Sequence, residues 1–313
     1  MRLEQIRRVG VAGAGTMGTG IAQLFAEAGF YVTWYNRSAA GIERGLSGVR
    51  RNQNILMESG TLTAEESRES RARLNTTLEL SDLASVEFVA ETIVEDMDAK
   101  IGLFRSLAEI CPPDAVLTTN TSWLSISRLA TAVSGPERFS GLHFLNPAHL
   151  IPLVEVIPGE ATSDRTVELV MGMARRIGRR PIVVRKEVPG YVTVRLQAAL
   201  VREAVHLVQE GVATSAEIDV AMKDGLGMRW ALLGPLEIAD LGGLDVFNIV
   251  TRNLNPHLSA AQGGLRLLET LVASGRLGVK SGAGFYDYAG DESGKVLDDR
   301  DRRLLKLLRI KSE

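Results

Sequence analysis

The stretch Arg8-Val9-Gly10-Val11-Ala12-Gly13-Ala14-Gly15-Thr16-Met17-Gly18 decides the fold of this chain. Its apolar start is typical of a buried strand, and its G-x-G-x-x-G spacing fits a tight turn into a helix. The first glycine permits the turn, the second lets backbone approach a pyrophosphate, and the third lets the helix pack closely on its strand. Free N–H groups at a helix start attract phosphate, so we expect a dinucleotide at Gly13, Gly15, Thr16, Met17 and Gly18.

The residues that follow complete a strand–helix–strand unit. Apolar side chains recur on one helical face at Ile21, Leu24, Phe25 and Ala28, and a second strand follows at residues 31–35. A lone glycine fingerprint is weak, whereas one between two strands and opening a helix favours cofactor binding over an incidental turn.

The end of the second strand bears on the choice of cofactor. NAD-binding proteins usually carry Asp or Glu there, which accepts hydrogen bonds from the ribose hydroxyls. This chain has Asn36 followed by Arg37. The loss of a carboxylate removes repulsion against a 2′-phosphate, and a guanidinium pairs well with phosphate. The sequence therefore predicts NAD(P) with NADP favoured; the alternative is NAD, with Asn36 bonding its ribose and Arg37 solvated.

Bulk composition limits the class of protein. The chain has 313 residues, of which 45% are hydrophobic and 24% charged, with a net charge of −2. These values are ordinary for a soluble globular protein, and no basic stripe suggests nucleic acid. No apolar run is long enough to predict a membrane span. A single cysteine, Cys111, excludes an internal disulfide and a thiolate metal cage, so we expect a cytoplasmic protein without a metal.

The pattern predicts an α/β chain with two domains. Residues 1–187 form a Rossmann-like, doubly wound sheet, and residues 188–313, beyond Val188-Pro189-Gly190, form an all-helical domain for substrate binding and dimerisation. After the second strand, a polar, helix-prone arm occupies residues 39–73. Strands or apolar runs follow at 86–90, 115–118, 139–144, 150–156 and 181–184.

Three helix predictions accompany this division. Ser125 and Asp164 are expected to cap the starts of two helices in the first domain. A helix from Tyr191 to Gln209 is apolar on more than one face, which predicts contact with both the sheet domain and a second subunit. The residues expected to be buried there are Val192, Leu196, Ala199, Leu200, Ala204 and Leu207.

One histidine stands where hydride chemistry would need a proton carrier. A nicotinamide exchanges hydride with an alcohol carbon, and imidazole moves protons near neutral pH. His143 lies in a predicted strand, and Glu155 is the one charge in the next apolar run. Glu155 could orient and stabilise the imidazole, while Ser122 and Asn146 could bond the reacting oxygen. The alternative is a histidine that only packs in the core.

Several further motifs follow the glycine fingerprint, each at a different place along the chain. They are Thr119-Asn120-Thr121-Ser122, Gly141-Leu142-His143-Phe144-Leu145-Asn146-Pro147, Leu153-Val154-Glu155-Val156, Pro189-Gly190-Tyr191 and Lys280-Ser281-Gly282-Ala283-Gly284-Phe285-Tyr286. With the glycine fingerprint, they resemble the 3-hydroxyacyl-CoA dehydrogenase family over nearly the whole sequence.

The resemblance implies roles for particular residues. His143 and Glu155 would form the catalytic pair, and Ser122 would position the 3-hydroxyl oxygen. The positions matching those that surround the nicotinamide ribose in the family are Glu95, Lys100, Asn120, Asn146 and Lys280. Alternatives are a solvated helix-start pair for Glu95 and Lys100, a loop hydrogen bond for Asn120, and an exposed turn for Lys280.

Three departures from the family bear on the substrate. Asn36 replaces an acid, and Val194 replaces the usual Asn before Arg195. The arm normally offers a lysine to the phosphates of CoA, but residues 37–96 contain none. The arginines that could replace it, if they are not simply solvated, are Arg44, Arg50 and Arg51.

A further segment resembles one branch of the family. Gly225-Leu226-Gly227-Met228-Arg229-Trp230-Ala231 is similar to lambda-crystallin, which has L-gulonate 3-dehydrogenase activity, and to carnitine dehydrogenase. Arg229 could pair with a substrate carboxylate or tie helices together. We therefore expect a homodimeric NAD(P)-dependent dehydrogenase of a small 3-hydroxy acid. The alternatives are a short-chain L-3-hydroxyacyl-CoA dehydrogenase and a dinucleotide-binding protein without turnover.

Overall fold

The computed structural model describes residues 2–288 and 292–311, which form two compact units. The first unit contains the chain up to Val194 together with Asp301–Leu305. The second contains Arg195–Arg300 and the residues from Lys306 onward.

One eight-stranded sheet forms the centre of the first unit. Its strands are β1 (Arg8–Ala12), β2 (Tyr31–Tyr35), β3 (Leu74–Thr77), β4 (Phe88–Glu91), β5 (Val116–Thr119), β6 (Phe139–Phe144), β7 (Leu153–Pro158) and β8 (Arg180–Val183). Their order is β3-β2-β1-β4-β5-β6-β7-β8. The strands from β3 to β6 pair in parallel, β7 runs antiparallel to β6, and β8 is parallel to β7. The carboxyl ends of the parallel strands therefore share one edge, where open sheets of this kind bind ligands.

Helices cover both faces of the sheet. They are α1 (Thr16–Glu27), α2 (Ala39–Glu58), α3 (Ala64–Ala72), α4 (Met97–Ile110), α5 (Ile126–Ala130) and α6 (Asp164–Arg176). Two separate clusters of buried apolar side chains result: Phe25 and Trp34 belong to one, and Phe104 and Phe139 to the other. A sheet with apolar layers on both faces explains why the central strands β1, β4, β5 and β6 are buried almost throughout.

The remaining helices follow Tyr191. They are α7 (Thr193–Gln209), α8 (Ser215–Val220), α9 (Gly227–Trp230), α10 (Pro235–Gly242), α11 (Leu244–Leu254), α12 (Arg266–Ala273) and α13 (Glu292–Ile310), with a π-helical turn at Ala221–Leu226. Among the described residues, no helix combines the length and the apolar character needed to cross a membrane.

The predicted fold class is confirmed, and each predicted strand is present within a few residues of its expected position. The edge strand β3 was not predicted. Its sequence, Leu74-Asn75-Thr76-Thr77, has one apolar residue, because it pairs with β2 alone and buries little surface. The helical arm is present as α2 and α3.

Two helix predictions need correction. Ser125 caps α5 as expected, but Ser163 rather than Asp164 caps α6, because its hydroxyl accepts the N–H of Thr166. Asp164 is instead the acidic first residue of the helix, a favourable place beside the helix dipole. In α7 only Val205 is buried, and Leu196 is 59% exposed, so the predicted burial of its apolar faces is wrong for a single chain.

Candidate active site

The three fingerprint glycines in the turn between β1 and α1 have different steric surroundings. Gly13 has a φ of 117°, which favours glycine. A Cβ on Gly18 would lie 2.0 Å from the carbonyl oxygen of Gly13, whereas a Cβ on Gly15 would have no neighbour within 4 Å among the described atoms. The fold therefore requires Gly13 and Gly18, and leaves open space at Gly15.

The start of α1 has the chemistry that a pyrophosphate needs. Gly15 is the N-cap, and no side chain caps the helix there. The N–H groups of Thr16 and Met17, in the first turn, are therefore available to an anion beside the open space at Gly15. These residues fit the phosphates of a dinucleotide.

Asn36 links the end of β2 to the glycine turn. Its Oδ1 accepts the N–H of Ala14 at 3.2 Å, and its Nδ2 donates to the carbonyl oxygen of Ser38 at 3.0 Å. The next residue, Arg37, is exposed. A neutral side chain with an exposed guanidinium beside it thus occupies the position that discriminates between the two cofactors in this fold.

His143 and Glu155 are paired by the reversal of the chain between β6 and β7. The two residues lie directly opposite each other in the antiparallel register, which places their side chains on the same face. Nδ1 of His143 lies 2.8 Å from Oε2 of Glu155, and both residues are buried. A carboxylate only accepts hydrogen bonds, so Nδ1 carries the proton and Nε2 presents a lone pair when the ring is neutral.

Glu155 is surrounded by donors. Its Oε1 accepts the backbone N–H groups of Val192 and Thr193, each at 3.0 Å, and its Oε2 accepts the hydroxyl of Thr193 at 2.6 Å. Burial alone would raise the pKa of Glu155, but the bonds from His143, Thr193 and the backbone lower it overall. The residue is therefore a stable anion beside the imidazole.

A strained turn brings these donors to Glu155. Gly190 has a φ of 77° and Tyr191 a φ of 49°, which is uncommon for a side chain of that size. Tyr191 is held by its hydroxyl, which donates to the carbonyl oxygen of Leu124 at 2.9 Å, and its ring lies 5.9 Å from that of His143. Burial raises the pKa of Tyr191 far above its usual range, so it stays protonated.

Ser122 faces the other nitrogen of the imidazole. Its Oγ lies 3.3 Å from Nε2 of His143, and its N–H donates to Glu95 at 2.8 Å. Glu95 also accepts the hydroxyl of Thr121 at 2.5 Å. The imidazole of His143 therefore contacts the hydroxyl of Ser122 on one side and the carboxylate of Glu155 on the other, as general acid–base chemistry on an alcohol requires.

Lys100 lies at the base of the same loop, where it is 1% exposed. Its ammonium is 2.6 Å from Glu91 and 3.5 Å from Glu95. Glu91 also accepts the hydroxyl of Thr119 at 2.6 Å. Burial raises the pKa of Glu91, and the Lys100 charge counteracts that effect. Glu95 and Lys100 are thus not a solvated helix-start pair, and their contact with a cofactor stays a prediction.

The two predicted asparagines occupy different places near β6, the strand that contains His143. Oδ1 of Asn120 accepts the N–H of Phe144 at 2.8 Å, so this side chain fixes the residue next to His143. Asn146 is exposed just beyond β6, before a cis bond to Pro147. Lys280 and Arg229 belong to the second unit, where both are exposed.

Sequence reasoning missed Thr193 and Glu91. Both act through hydrogen bonds to residues of other secondary-structure elements, which no periodicity reveals. The Pro189-Gly190-Tyr191 motif was the available signal for Thr193, since a glycine with positive φ before a bulky residue marks an unusual turn.

Two family models together match most of the chain. The model described as 3-hydroxyacyl-CoA dehydrogenase, NAD binding domain, matches residues 8–188. The model of the C-terminal domain of 3-hydroxyacyl-CoA dehydrogenase matches residues 190–288. The two matched ranges contain all of the site residues named above.

Individual relatives are similar over nearly the full length. A probable 3-hydroxybutyryl-CoA dehydrogenase of Bacillus subtilis is 39% identical over 91% of this chain and 98% of its own. The 5-formyl-3-hydroxy-2-methylpyridine 4-carboxylate 5-dehydrogenase of Mesorhizobium japonicum is 33% identical over 97% of this chain and 98% of its own. A crystal structure of such a pyridine-carboxylate dehydrogenase, an NAD⁺-dependent dismutase, has a TM-score of 0.91 and covers 98% of both chains.

The hydroxyl of Thr193 gives a prediction about stability and pH. Thr193→Val removes a donor to the charged Glu155, and we expect a loss of about 1.5–3 kcal/mol at pH 7. Because folding lowers the pKa of Glu155, this stabilisation is present above the unfolded value and disappears as the pH falls through the folded value. Urea unfolding at pH 7 and at successively lower pH measures the difference.

Thr193→Ser is the matched control, because it keeps the hydroxyl and should stay near the wild type. A Thr193→Val deficit that is the same at every pH would show that lost packing, and not the bond to Glu155, causes it.

Proposed function

The chain belongs to the 3-hydroxyacyl-CoA dehydrogenase family and is an NAD-dependent oxidoreductase acting on CH–OH groups, and we propose that its substrate is a small 3-hydroxy acid with a free carboxylate. The observation that supports the proposed reaction is that His143 contacts Ser122 through one ring nitrogen and Glu155 through the other. The substrate class is proposed from Arg229 of the second unit and from the arginines of the arm.

His143 acts as the base when the alcohol is oxidised. Its Nε2 takes the proton of the 3-hydroxyl, while Ser122 holds the same oxygen by a hydrogen bond. Glu155, 2.8 Å from Nδ1, stabilises the imidazolium that forms. In the reverse direction, the imidazolium returns this proton to the carbonyl oxygen. The nicotinamide cofactor, when bound, exchanges a hydride with carbon 3 of the substrate.

The proposed cofactor site begins at the edge of the sheet formed by the carboxyl ends of the parallel strands. We propose that Gly13, Gly15, Thr16, Met17 and Gly18 bind its pyrophosphate. The residues proposed for its nicotinamide ribose are Glu95, Lys100, Asn120, Asn146 and Lys280. Asn146 is also proposed to bond the substrate oxygen.

We propose a free carboxylate on the substrate after asking which arginine side chains are available to bind one. The Arg229 guanidinium makes no hydrogen bond or ion pair with residues 2–288 or 292–311, so it is available to an anion. In the arm, Arg51 lies 3.6 Å from the buried Asp301, and Arg50 donates to Ser47. The Arg51 guanidinium is therefore engaged in the fold, which disfavours it as a replacement for a lysine that binds CoA phosphates, whereas Arg50 is exposed on α2. The proposed branch is that of lambda-crystallin and carnitine dehydrogenase.

A short hydroxyacyl-CoA thioester is the second candidate. It is favoured by the 3-hydroxybutyryl-CoA dehydrogenases among the relatives, which are 34–39% identical. Of the three arginines considered in the arm, Arg44 and Arg50 are exposed on α2 and could meet a phosphate of CoA.

We infer a preference for NADP over NAD from the end of β2. Asn36 brings no negative charge against a 2′-phosphate, and the exposed Arg37 can pair with it. The alternative remains NAD, the cofactor of the pyridine-carboxylate dehydrogenase.

Homodimerisation is proposed from the surface of the second unit. Large apolar side chains of this unit are exposed in the single chain, among them Leu236 at 81%, Leu241 at 75% and Leu232 at 72%. Exposed apolar side chains in such number are typical of a surface that a partner covers. The free, buried thiol of Cys111 is compatible with the proposed cytoplasmic location.

His143→Gln tests the proposed reaction. A general base contributes about 10²–10⁴-fold to the rate, so kcat should fall at least 100-fold. Cofactor affinity should hold, because His143 is not in the glycine turn. The change of absorbance at 340 nm, followed with a panel of 3-hydroxy acids and thioesters, measures the turnover of the wild type and of the variant. Turnover of the variant at the wild-type rate would remove His143 as the base, and no turnover by the wild type would favour a non-catalytic dinucleotide-binding protein.

Arg229→Met tests the substrate class. Loss of a charge-assisted pair costs about 1.5–3 kcal/mol, so KM for the free acid should rise roughly 10-fold to 100-fold. KM for a thioester should not change. Arg252→Met, an exposed arginine of α11, is the control. Equal effects on acid and thioester would contradict a role in carboxylate binding.

Arg37→Ala and Asn36→Asp test the cofactor. The first should lower kcat/KM for NADP about 10-fold and leave NAD unchanged, because it removes a partner of the 2′-phosphate. The second should favour NAD, because a carboxylate repels that phosphate. Both are compared with the wild type, whose own preference for NAD would contradict the inference.

A further inference from the structure

The C-terminal helix α13 contributes one turn, Asp301–Leu305, to the first unit. This turn lies beyond residue 288, where the family models end. Asp301 is fully buried there, and Leu305 is buried too. A carboxylate is rarely buried without charged partners, so its surroundings indicate what the turn does.

Asp301 has nitrogen-bearing side chains of two different segments beside it. Its Oδ2 lies 3.6 Å from the Arg51 guanidinium of α2 and 3.7 Å from Nε2 of His149. The neighbouring Arg302 pairs with Glu58, two turns further along α2, at 3.0 Å. The turn therefore holds both the arm and the segment that contains His149.

His149 lies in the connection between β6 and β7. It is six positions beyond His143 and three beyond Asn146. Its Nδ1 lies 3.4 Å from Nδ2 of Asn52, which donates to Gln23 of α1 at 2.9 Å. The ring thus lies between Asn52 of α2, at hydrogen-bond distance from Nδ1, and the carboxylate of Asp301, 3.7 Å from Nε2.

The same connection packs closely on α1. A Cβ on Gly20 would lie 3.1 Å from the Cβ of Ala148 and 3.2 Å from the backbone nitrogen of His149. The absence of a side chain at Gly20 lets the connection approach the helix whose first turn binds phosphate in our proposal. A small displacement of the connection would therefore alter the end of the catalytic strand.

We propose that Asp301 is a positioning residue of the active site: by holding His149 and Arg51, it fixes the connection after β6 and thereby the alignment of Asn146 and His143 with the substrate. This rests on the dehydrogenase activity proposed above. Asp301 touches neither substrate nor cofactor, and it acts through His149. The last helix is accordingly part of the catalytic architecture.

Asp301→Asn in the full-length protein tests this role. It keeps the size of the side chain and removes its charge. Misplacement of reacting groups by about 1 Å costs roughly 100-fold in rate, so a smaller shift should lower kcat about 10-fold. The Kd of the cofactor, followed by tryptophan fluorescence, should stay within about twofold, because Asp301 does not contact the glycine turn. Arg303→Gln, on the exposed face of the same turn, should match the wild type.

A double-mutant cycle separates positioning from simple destabilisation. If Asp301 acts through His149, then Asp301→Asn with His149→Asn should lower kcat no further than the worse single variant. Additive effects would overturn the proposal, as would an Asp301→Asn protein with a lower Tm and unchanged kcat well below that Tm. Should Asp301→Asn fail to fold, His149→Asn and Arg51→Met serve instead, and unchanged kcat in both would also overturn it.

Hydrogen exchange supplies a readout that does not need turnover. Asp301→Asn should increase amide exchange in residues 145–151, and Arg303→Gln should not. Unchanged exchange in that segment would contradict the proposal. If the wild-type protein turns over no substrate while exchange changes as expected, the proposed activity fails and the holding role of Asp301 stands.

Discussion

The active site depends on one buried carboxylate, that of Glu155. Its two oxygens accept four hydrogen bonds, from His143, from two backbone N–H groups and from the hydroxyl of Thr193. A charge in this position is tolerated only because every bond is made. The same bonds tie β6, β7 and the turn before α7 together, so the ionised state of Glu155, the orientation of the imidazole and the path of the chain beyond Gly190 are aspects of one arrangement.

Much of this arrangement could be predicted from the sequence, because it follows from local patterns. The glycine fingerprint between two strands predicted the sheet and the turn, and a lone acid in an apolar strand pointed to a nearby cation. The pairing of His143 with Glu155 follows from the antiparallel register of adjacent strands. By contrast, Thr193 was missed, since its bond to Glu155 depends on the left-handed backbone of Gly190 and Tyr191. Only tertiary structure determines such a contact.

Buried charge shows the same limit of sequence reasoning. Lys100 lies in the first turn of α4, where a lysine is normally solvated, yet it is buried and pairs with Glu91, nine residues earlier. This spacing does not predict the contact, because Glu91 is the last residue of a strand whereas Lys100 belongs to the following helix. Likewise, α7 has the apolar pattern of a buried helix although the chain fully buries only Val205 of it. Periodicity reports that a surface is apolar, and it does not report which molecule covers that surface.

The reversal of the chain after β6 has a structural cost that the rest of the unit offsets. A parallel strand could not have set Glu155 directly opposite His143, only 12 positions away in the chain, since parallel neighbours need a long crossover. The short connection that makes the reversal possible lies at the ligand edge of the sheet. The first residue of β8, Arg180, donates its N–H to the carbonyl oxygen of Pro152 in this connection, and α1, α2 and the turn Asp301–Leu305 contact His149. The pairing of His143 with Glu155 thus relies on contacts that several elements make with the connection, and one of these contacts comes from Asp301, beyond the last residue that the family models match.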